Sequence, residues 1–367
     1  MNADDTARLS STPPLRSPIV QALQLSRREV IMSMSASGFL PELSRPSVHS
    51  DPRVTITIDE TPQRIVTDAG AGGYQAFPDV CRLKSGDLYC VFYAGYGHVS
   101  HPNTTLPKGG RVCGIQSRDE GKSWCAPTTV IDTMDDDRDP SVCCLPDGNL
   151  IVNFFRYGLN GECDTCIATS HDAGRSWSEP QIVAPGFATS SPVRRLRSGR
   201  LLLPVYTVDG NGKRFYPGIS ISNDRGHSWS SVHPIGQRAG KVLDETDLFE
   251  RADGTVLAVM RQVMCGSEST DGGQTWGPVF DLGFPGHCPY LLQTKSGVLL
   301  MAHRWPGTSL HYSLDEGRSG HGSIQIDTCI GAYPSMVELR DQTVLCVYYE
   351  EGENSAIRSK RIRITLG

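Results

Sequence analysis

The chain has 367 residues and a formal net charge of −5 without any basic stripe, so its composition gives no sign of a nucleic-acid partner. No apolar run reaches the length of a transmembrane helix, and we expect no membrane association. The 38 glycines and 24 prolines are typical of a turn-rich β protein, and the chain is long enough to bury a large core.

The first 50 residues differ from the rest of the chain. They are rich in Ser, Pro and Arg, and we expect them to be disordered or removed. The segment 26–31 reads Ser-Arg-Arg-Glu-Val-Ile and precedes a moderately apolar stretch, 32–40, which resembles a twin-arginine export signal. Such a signal would make the protein periplasmic or secreted. If the segment is only a basic tail, the protein is cytoplasmic.

Residues 51–367 contain six repeats of a strand–turn–strand pattern. Each repeat has an apolar strand, a turn of the Asp-Gly or Ser-Gly kind and a second apolar strand, which together predict a β-hairpin. The repeats are 78–88, 140–150, 192–201, 246–256, 289–298 and 334–344.

An octapeptide, Ser-x-Asp-x-Gly-x-Ser/Thr-Trp, recurs out of phase with these hairpins. Its aspartate can accept hydrogen bonds from turn amides, its glycine supplies a positive φ, and its tryptophan can pack against neighbouring units. The four intact copies and a fifth that lacks the tryptophan are 117–124, 170–177, 222–229, 269–276 and 313–320. Repeats at this spacing indicate a solenoid or a propeller. Six hairpins with five such turns predict an all-β fold, a six-bladed β-propeller over residues 51–367 with about four strands per blade.

Twelve cysteines are present. Five of them fall in the predicted hairpin strands, where a thiol behaves as a small apolar group: Cys81, Cys90, Cys143, Cys144 and Cys346. The pair Cys163 and Cys166 forms a lone CxxC without a second pair or a His at ligand spacing. We therefore expect reduced, structural cysteines and no required metal or cofactor.

In a propeller, the start of strand one and the end of strand two of every blade meet at one mouth of the central channel. The hairpin register places polar and aromatic residues at these positions in blade after blade. The strand-one heads are Asp79, Arg138, Asp139, Ser190, Ser191, Glu245, Asp247, His287 and Tyr333. The strand-two ends are Tyr93, Phe155 with Arg156, Tyr206, Arg261, Arg304 and Tyr349. Arginines, carboxylates and tyrosines around one pocket are suited to binding an anionic sugar.

The octapeptide is similar to the Asp box of sialidases (neuraminidases), and two further segments extend the resemblance. The stretch from Glu245 to Arg261 resembles the fourth-blade segment that carries the family's Glu and a clamp Arg. Tyr333, with the later Tyr349-Glu350, resembles the last-blade segment that carries the nucleophile. The resemblance implies that Tyr333 is the nucleophile and Glu245 its base. A neutral phenol approaches the carboxylated anomeric carbon of a sialic acid without charge repulsion.

The chain departs from the family pattern in two places. Ala76 stands where the first clamp arginine is expected, and the loop 96–110, where the family has its acid/base Asp, contains no Asp or Glu. Asp79, Asp139 and His98 are the candidate replacements for the acid. The predicted substrate-binding residues are Arg261, Arg304, Arg138, Arg156, Asp247 and Tyr349, in which Arg138 and Arg156 would form a relocated clamp.

Three functions are compatible with these features. The first is an exo-acting glycosidase that removes a terminal acidic sugar, sialic acid or a related acid, from glycoconjugates. The second is a polysaccharide lyase that uses His98 and a Tyr beside a uronate. The third is a non-catalytic propeller that binds a glycan or a partner protein. The sequence predicts an acidic glycan as ligand and does not predict an oligomeric state.

Overall fold

A computed structural model of the protein describes residues 51–367 apart from 209–214, 237–241, 262, 306 and 353–354. The predicted export signal and tail, within 1–50, lie outside the described residues. The described chain forms strands and turns without a helix, so it contains no helix long and apolar enough to cross a membrane.

Six antiparallel sheets follow one another along the chain, and each is one blade. Two strands precede the first full blade, β1 (Val54–Ile58) and β2 (Gln63–Val66). The first blade comprises β3 (Tyr74–Arg82), β4 (Leu88–Gly95), β5 (Arg111–Ser117) and β6 (Thr128–Ile131). The second comprises β7 (Asp136–Cys144), β8 (Leu150–Tyr157), β9 (Cys163–Ser170) and β10 (Gln181–Pro185). The third comprises β11 (Arg194–Arg195), β12 (Leu201–Val208), β13 (Phe215–Ser222) and β14 (His233–Pro234).

The remaining blades repeat the plan. The fourth comprises β15 (Thr246–Glu250), β16 (Val256–Met260), β17 (Cys265–Ser269) and β18 (Phe280–Asp281). The fifth comprises β19 (His287–Gln293), β20 (Leu299–Arg304), β21 (Thr308–Ser313) and β22 (His321–Asp327). The sixth comprises β23 (Gly331–Glu338), β24 (Val344–Glu350) and β25 (Ala356–Leu366). The prediction of an all-β, six-bladed propeller is confirmed.

The ring is closed by the beginning of the described chain. Strand β1 pairs antiparallel with β25 from Val54 opposite Leu366 to Ile58 opposite Ile362, and β2 pairs with the earlier part of β25. The sixth blade therefore takes its outer strand from residues far away in sequence. This pairing covers an edge that would otherwise present free backbone groups to other chains.

Apolar clusters lie between neighbouring blades and hold them together. One cluster joins Phe92 of the first blade to Val347 of the sixth, and another joins Tyr89 of the first blade to Val152 of the second. Polar locks supplement this packing near the channel. Asp79 accepts hydrogen bonds from Val80 N at 2.9 Å and from Val142 N of the next blade at 2.8 Å, and Ser335 Oγ also donates to it.

All five octapeptide turns form, at the end of the propeller that also carries the β-turn of each hairpin. In the third copy, Asp224 Oδ1 accepts Ser228 N at 2.9 Å and Ser222 Oγ at 2.8 Å, while Gly226 takes a φ of 91°. The fifth copy, without its tryptophan, keeps the same bonds: Asp315 Oδ1 accepts Ser319 N at 2.8 Å. The aspartate network, and not the indole, is therefore what the turn requires. We call this end the Asp-box face and the opposite end the mouth face.

Candidate active site at the mouth face

A repeated backbone distortion shapes the mouth face. In four blades the first strand contains an irregularity at a residue that precedes a proline and has a positive φ. These residues are Phe77 (52°), Asp139 (46°), Cys288 (51°) and Tyr333 (43°). Such a conformation is unfavourable for L-residues and more so before proline, so each costs on the order of 1–3 kcal/mol. All four line the same small cavity on the channel axis. The fold thus holds four side chains in a strained arrangement that aims them at one point.

Tyr333 and Glu245 meet at this point. The Tyr333 hydroxyl donates a hydrogen bond to Glu245 Oε1, and Arg261 Nη1 lies 2.8 Å from the same oxygen. Gly331, with a φ of 124°, lets the start of β23 lie close to β24, because a Cβ there would lie 2.7 Å from Tyr349 O. Tyr333 keeps part of its surface accessible, whereas Glu245 is 2 % exposed. The pair predicted from sequence is therefore brought into direct contact.

The charge state of Glu245 follows from its neighbours. Burial pushes the pKa of this carboxyl up, but Arg261 and Arg304 together with the hydrogen bonds from Cys288 and Tyr333 lower it to about 2. Burial also raises the pKa of Tyr333 well above its usual value. At neutral pH the site therefore contains a neutral phenol hydrogen-bonded to an ionised carboxylate, which can accept the phenolic proton.

Arg304 lies against this pair and forms no salt bridge with a carboxylate among the described residues. Its guanidinium carbon is 4.8 Å from the centre of the Tyr333 ring, and its buried Nε has no hydrogen-bond partner in the described part of the chain. Arg261 differs, because Glu245 and Asp244 (Oδ1 3.7 Å from Nε) surround it. Arg304 is consequently the arginine that is free to bind an incoming anion.

Asp139 is the carboxyl best suited to carry a proton. It is 4 % exposed, and its Oδ1 has no hydrogen-bond partner among the described residues. Burial raises the pKa of Asp139 to about 7; Arg138 opposes this rise and the charge of Glu245 reinforces it. The carboxyl is thus poised to donate or accept a proton near neutral pH.

The other two acid candidates have partners that occupy them. The Asp79 carboxylate accepts the hydrogen bonds from backbone amides and from Ser335 Oγ that join neighbouring blades, as described above. His98 Nδ1 lies 3.1 Å from the Tyr74 hydroxyl, and its carbonyl oxygen accepts a hydrogen bond from Arg138 Nη1. Neither is placed beside Glu245, so the geometry favours Asp139 of the three.

Several predicted substrate-binding residues occupy other surroundings. Asp247 has no exposed surface: it accepts hydrogen bonds from Leu291 N at 2.6 Å and from both the Nε and the Nη2 of Arg194, so it joins blades. Arg156 faces Asp164 on β9, 3.6 Å away, and Asp135, 3.9 Å away. The charges of these two residues are therefore already paired within and between blades, and their contact with substrate stays a prediction.

Arg138 is also committed to the protein. It is 1 % exposed, lies 3.6 Å from Asp136 and 3.5 Å from Asp139, and packs over the rings of Phe77 and Phe155. Arg138 therefore lies buried beside the site with its charge paired, and its role as a clamp stays a prediction. Tyr349 does reach the site: its ring centre is 6.1 Å from that of Tyr333, although its hydroxyl donates to Glu351.

Two residues that the sequence reasoning passed over belong to the site. Asp244 accepts a hydrogen bond from the backbone N–H of Glu245 at 2.7 Å. Burial raises the pKa of Asp244 to about 6, although the charge of Arg261 lowers it. Cys288, next to the predicted His287, lies with its Sγ 2.8 Å from Glu245 Oε2. Cys288 could have been found by aligning the residue before the first-strand proline in each blade, where Asp139 and Tyr333 also stand.

A larger cavity, of about 730 Å³, lies at the Asp-box face between the second, third and fourth blades. Its charged groups are exposed or already bonded; Arg200, for example, donates to Asn223 Oδ1 at 3.0 Å and to the carbonyls of Asp271 and Gly272. It contains no buried, unpartnered polar atom among the described residues. The arranged chemistry lies at the mouth face.

Comparison with known proteins agrees with the fold and the repeat. Residues 114–341 match the family described as the BNR repeat-like domain. A sialidase of Micromonospora viridifaciens is 33% identical over 216 residues, which is 50% of this chain but 33% of that protein. This chain therefore corresponds to about a third of the length of that relative.

Solved structures show the same architecture. A protein of unknown function from Dyadobacter fermentans superposes with a TM-score of 0.74 at 20% identity, over 86% of this chain and all of that one. Hadza microbial sialidase Hz136 gives a TM-score of 0.67 at 16% identity, over 82% of this chain and 68% of that one. Trypanosoma rangeli sialidase superposes with a TM-score of 0.64 at 16% identity, over 83% of this chain and 59% of that one. At these identities the likeness demonstrates a shared fold.

Proposed function

Because this chain belongs to the BNR repeat-like domain family within the sialidase-like superfamily, we propose that it is an exo-acting glycoside hydrolase. Its substrate is a terminal acidic sugar, sialic acid or a related sugar acid, on a glycoconjugate. The observation that supports this most directly is the hydrogen bond from Tyr333 to the ionised Glu245, with the unpaired guanidinium of Arg304 against the same ring.

Tyr333 and Glu245 have complementary roles in this proposal. The phenolic oxygen of Tyr333 forms a bond to the anomeric carbon as the glycosidic bond breaks, and its proton passes to Glu245 Oε1. The neighbours of Glu245 hold the pKa of this carboxyl at about 2, so the group is ionised beforehand. It accepts the proton as the Tyr333 oxygen bonds to the anomeric carbon, because the phenolic proton then becomes strongly acidic. Water then releases the sugar from Tyr333 by the reverse proton movement.

Asp139 supplies the proton that the leaving oxygen requires. With its pKa raised to about 7 by burial, it carries a proton over the acidic and neutral range, and it lines the same cavity as Tyr333. An uncharged acid is also compatible with a substrate carboxylate nearby, because the two groups then do not repel each other.

The substrate carboxylate binds to Arg304. Arg261 donates to it only through the guanidinium nitrogens that do not bind Glu245. A planar guanidinium offers two parallel donors to a carboxylate. With Ala76 in place of the first clamp arginine and Arg138 paired internally, the anion is held by fewer guanidinium groups than the family pattern implies. A sugar acid other than sialic acid is therefore included in the proposal.

The decisive experiment is a screen of aryl glycosides of sialic acid, related ulosonic acids and uronic acids with the purified protein. Release of the aryl group by the wild type, and its loss in Tyr333→Phe, would support the proposal. Ligand binding without turnover across the whole panel would refute it in favour of a binding propeller.

A uronate-containing glycan added to the panel addresses the lyase alternative, for which the contact between Tyr74 and His98 is the relevant observation. The aryl uronides alone do not, because a lyase expels a glycan from C4 of the uronate and they carry none there. A lyase acting on a uronate-containing glycan leaves an unsaturated sugar that absorbs in the near ultraviolet, whereas a hydrolase does not. Appearance of that absorbance, and its dependence on His98, would replace the hydrolase proposal.

A further inference from the structure

The Glu245 carboxylate is bonded on both of its oxygens, and one donor is a thiol. Oε1 receives the Tyr333 hydroxyl and Arg261 Nη1, while Oε2 faces Cys288 Sγ at 2.8 Å. Cys288 is 6 % exposed, and Glu245 is less exposed still. In this dry environment a donor to an ionised carboxylate contributes more than it would in water.

The backbone determines where this thiol points. Cys288 precedes Pro289 and has a φ of 51°, the same distortion that places Tyr333 before Pro334 in the next blade. The strand pairing of β19 with β20 is interrupted at this residue, between His287 and Tyr290. A distortion of this kind persists only where the surrounding structure imposes it. The thiol is thus held against Glu245 Oε2, the carboxylate oxygen that Tyr333 does not bind.

We propose that Cys288 is a positioning residue, whose S–H bond to Oε2 keeps the Glu245 carboxylate turned so that Oε1 faces the Tyr333 hydroxyl. The role rests on the proposed function, in which Glu245 accepts the phenolic proton. Cys288 itself neither touches the sugar nor forms a bond to it. Its contribution is to the orientation and charge of the base.

Arg261 explains why such a restraint matters. Its Nη1 already binds Oε1, while its Nε is buried without a hydrogen-bond partner in the described chain. If Oε2 lost the thiol, the carboxylate could turn to form the two-pronged pair that Arg and Glu prefer. That rotation would draw Oε1 away from Tyr333. Cys288 therefore competes with Arg261 for the second oxygen.

The contact can be tested without any activity, through the S–H stretching band in the infrared. The difference spectrum of the wild type minus Cys288→Ala isolates one band among the twelve cysteines. We expect this band at the lowered frequency of a strong hydrogen bond, and we expect Glu245→Gln to move it back. An unshifted band in the wild type would overturn the proposal, whether or not the enzyme turns over substrate.

The effect on turnover is tested with Cys288→Ala, Cys288→Ser and the matched control Cys346→Ala, which removes an equally buried thiol from β24. Losing a donor to a charged group predicts about a tenfold lower kcat for Cys288→Ala, with KM little changed. The acid limb of its pH profile moves to higher pH, since the donor stabilised the ionised form. Cys288→Ser, which keeps a donor, retains most of the rate.

Two results would contradict this role. If Cys288→Ala and Cys346→Ala behave alike in kcat and pH profile, the thiol is only packing. If Cys288→Ser is as inactive as Tyr333→Phe while still folded, Cys288 takes part in the chemistry and is not a positioning residue. Absence of turnover by the wild type on every glycoside would instead refute the proposed function, and the positioning role with it.

Discussion

The two faces of the propeller are the opposite ends of the same strands, but the side chains at the two ends have different roles. At the Asp-box face the same side chains recur in five turns and bond only to their own turn, as Asp224 bonds to Ser222 and Ser228. At the mouth face one register position holds a different residue in each blade, as Asp139 and Tyr333 show, and buried polar atoms lack partners. A side-chain network repeated in every copy indicates a folding element, whereas a register position whose side chain changes from blade to blade indicates a functional site.

The largest effect should follow from removing the pair at the centre of the mouth face. Tyr333→Phe removes the attacking oxygen and Glu245→Gln removes the base, so we expect each to lower kcat about 10³-fold or more with the fold intact. Tyr348→Phe is the control, since its hydroxyl bonds Asp327 on β22, 2.6 Å away. Hydrolysis that survives both site variants would eliminate this mechanism.

Asp139→Asn should lower kcat by roughly 10²- to 10⁴-fold on substrates with a poor leaving group, because the leaving oxygen then receives no proton. An aryl glycoside with a strongly acidic phenol needs no such proton and should keep most of its rate. In the wild type the rate should fall as pH rises through about 7, where Asp139 loses its proton. Equal losses on both substrate types would exclude Asp139 as the acid.

Arg304→Met should raise KM and lower kcat/KM by roughly 10- to 100-fold, since a charge-assisted bond to the substrate carboxylate is lost. Arg156→Met, which breaks the ion pair of Arg156 with Asp164 within the second blade, should change kcat/KM less than threefold. Steady-state kinetics on one acidic glycoside measures both. Similar losses in the two variants would show that the anion is bound elsewhere.

The two faces should also respond oppositely to pH. Hydrogen bonds from Ser228 hold the pKa of Asp224 at about 2, so its stabilising contribution is present above pH 4 and is lost as pH falls toward 2. Burial raises the pKa of Asp139 to about 7, so its protonated form favours folding at low pH, and that contribution is lost as pH rises from about 4 to 7. In thermal melts, the Tm of Asp139→Asn should no longer fall between about pH 4 and 7, and it should still fall as pH drops toward 2.

The smallest effect should come from a single Asp box. Asp224→Ala removes one turn network of five, and we expect Tm to fall by roughly 2 °C with kcat and KM unchanged. Asp315→Ala, in the copy without a tryptophan, should lower Tm by a similar amount, because its bonds to Ser319 are the same. A change in KM for either variant would mean that the two faces are not independent.

The sequence by itself determined the architecture of this protein. The hairpins and the octapeptide are local patterns, and each can be read because turn chemistry and strand alternation depend on neighbouring residues. The same register predicted that Tyr333, Glu245, Arg261 and Arg304 lie together, and they do, since residues at equivalent positions of a repeat end at the same mouth. Closure of the ring by β1 was not predicted, because its partner β25 lies at the other end of the chain.

The tertiary structure decided which charged groups are free. Asp247, Arg138 and Arg156 resemble site residues in the sequence, yet partners from distant segments such as Arg194 and Asp164 occupy them. By contrast, Asp139 Oδ1 and Arg304 Nε have no hydrogen-bond partner among the described residues. The sequence of a repeat predicts where a side chain begins, but whether its charge is already paired depends on contacts between blades, which only the folded chain brings together.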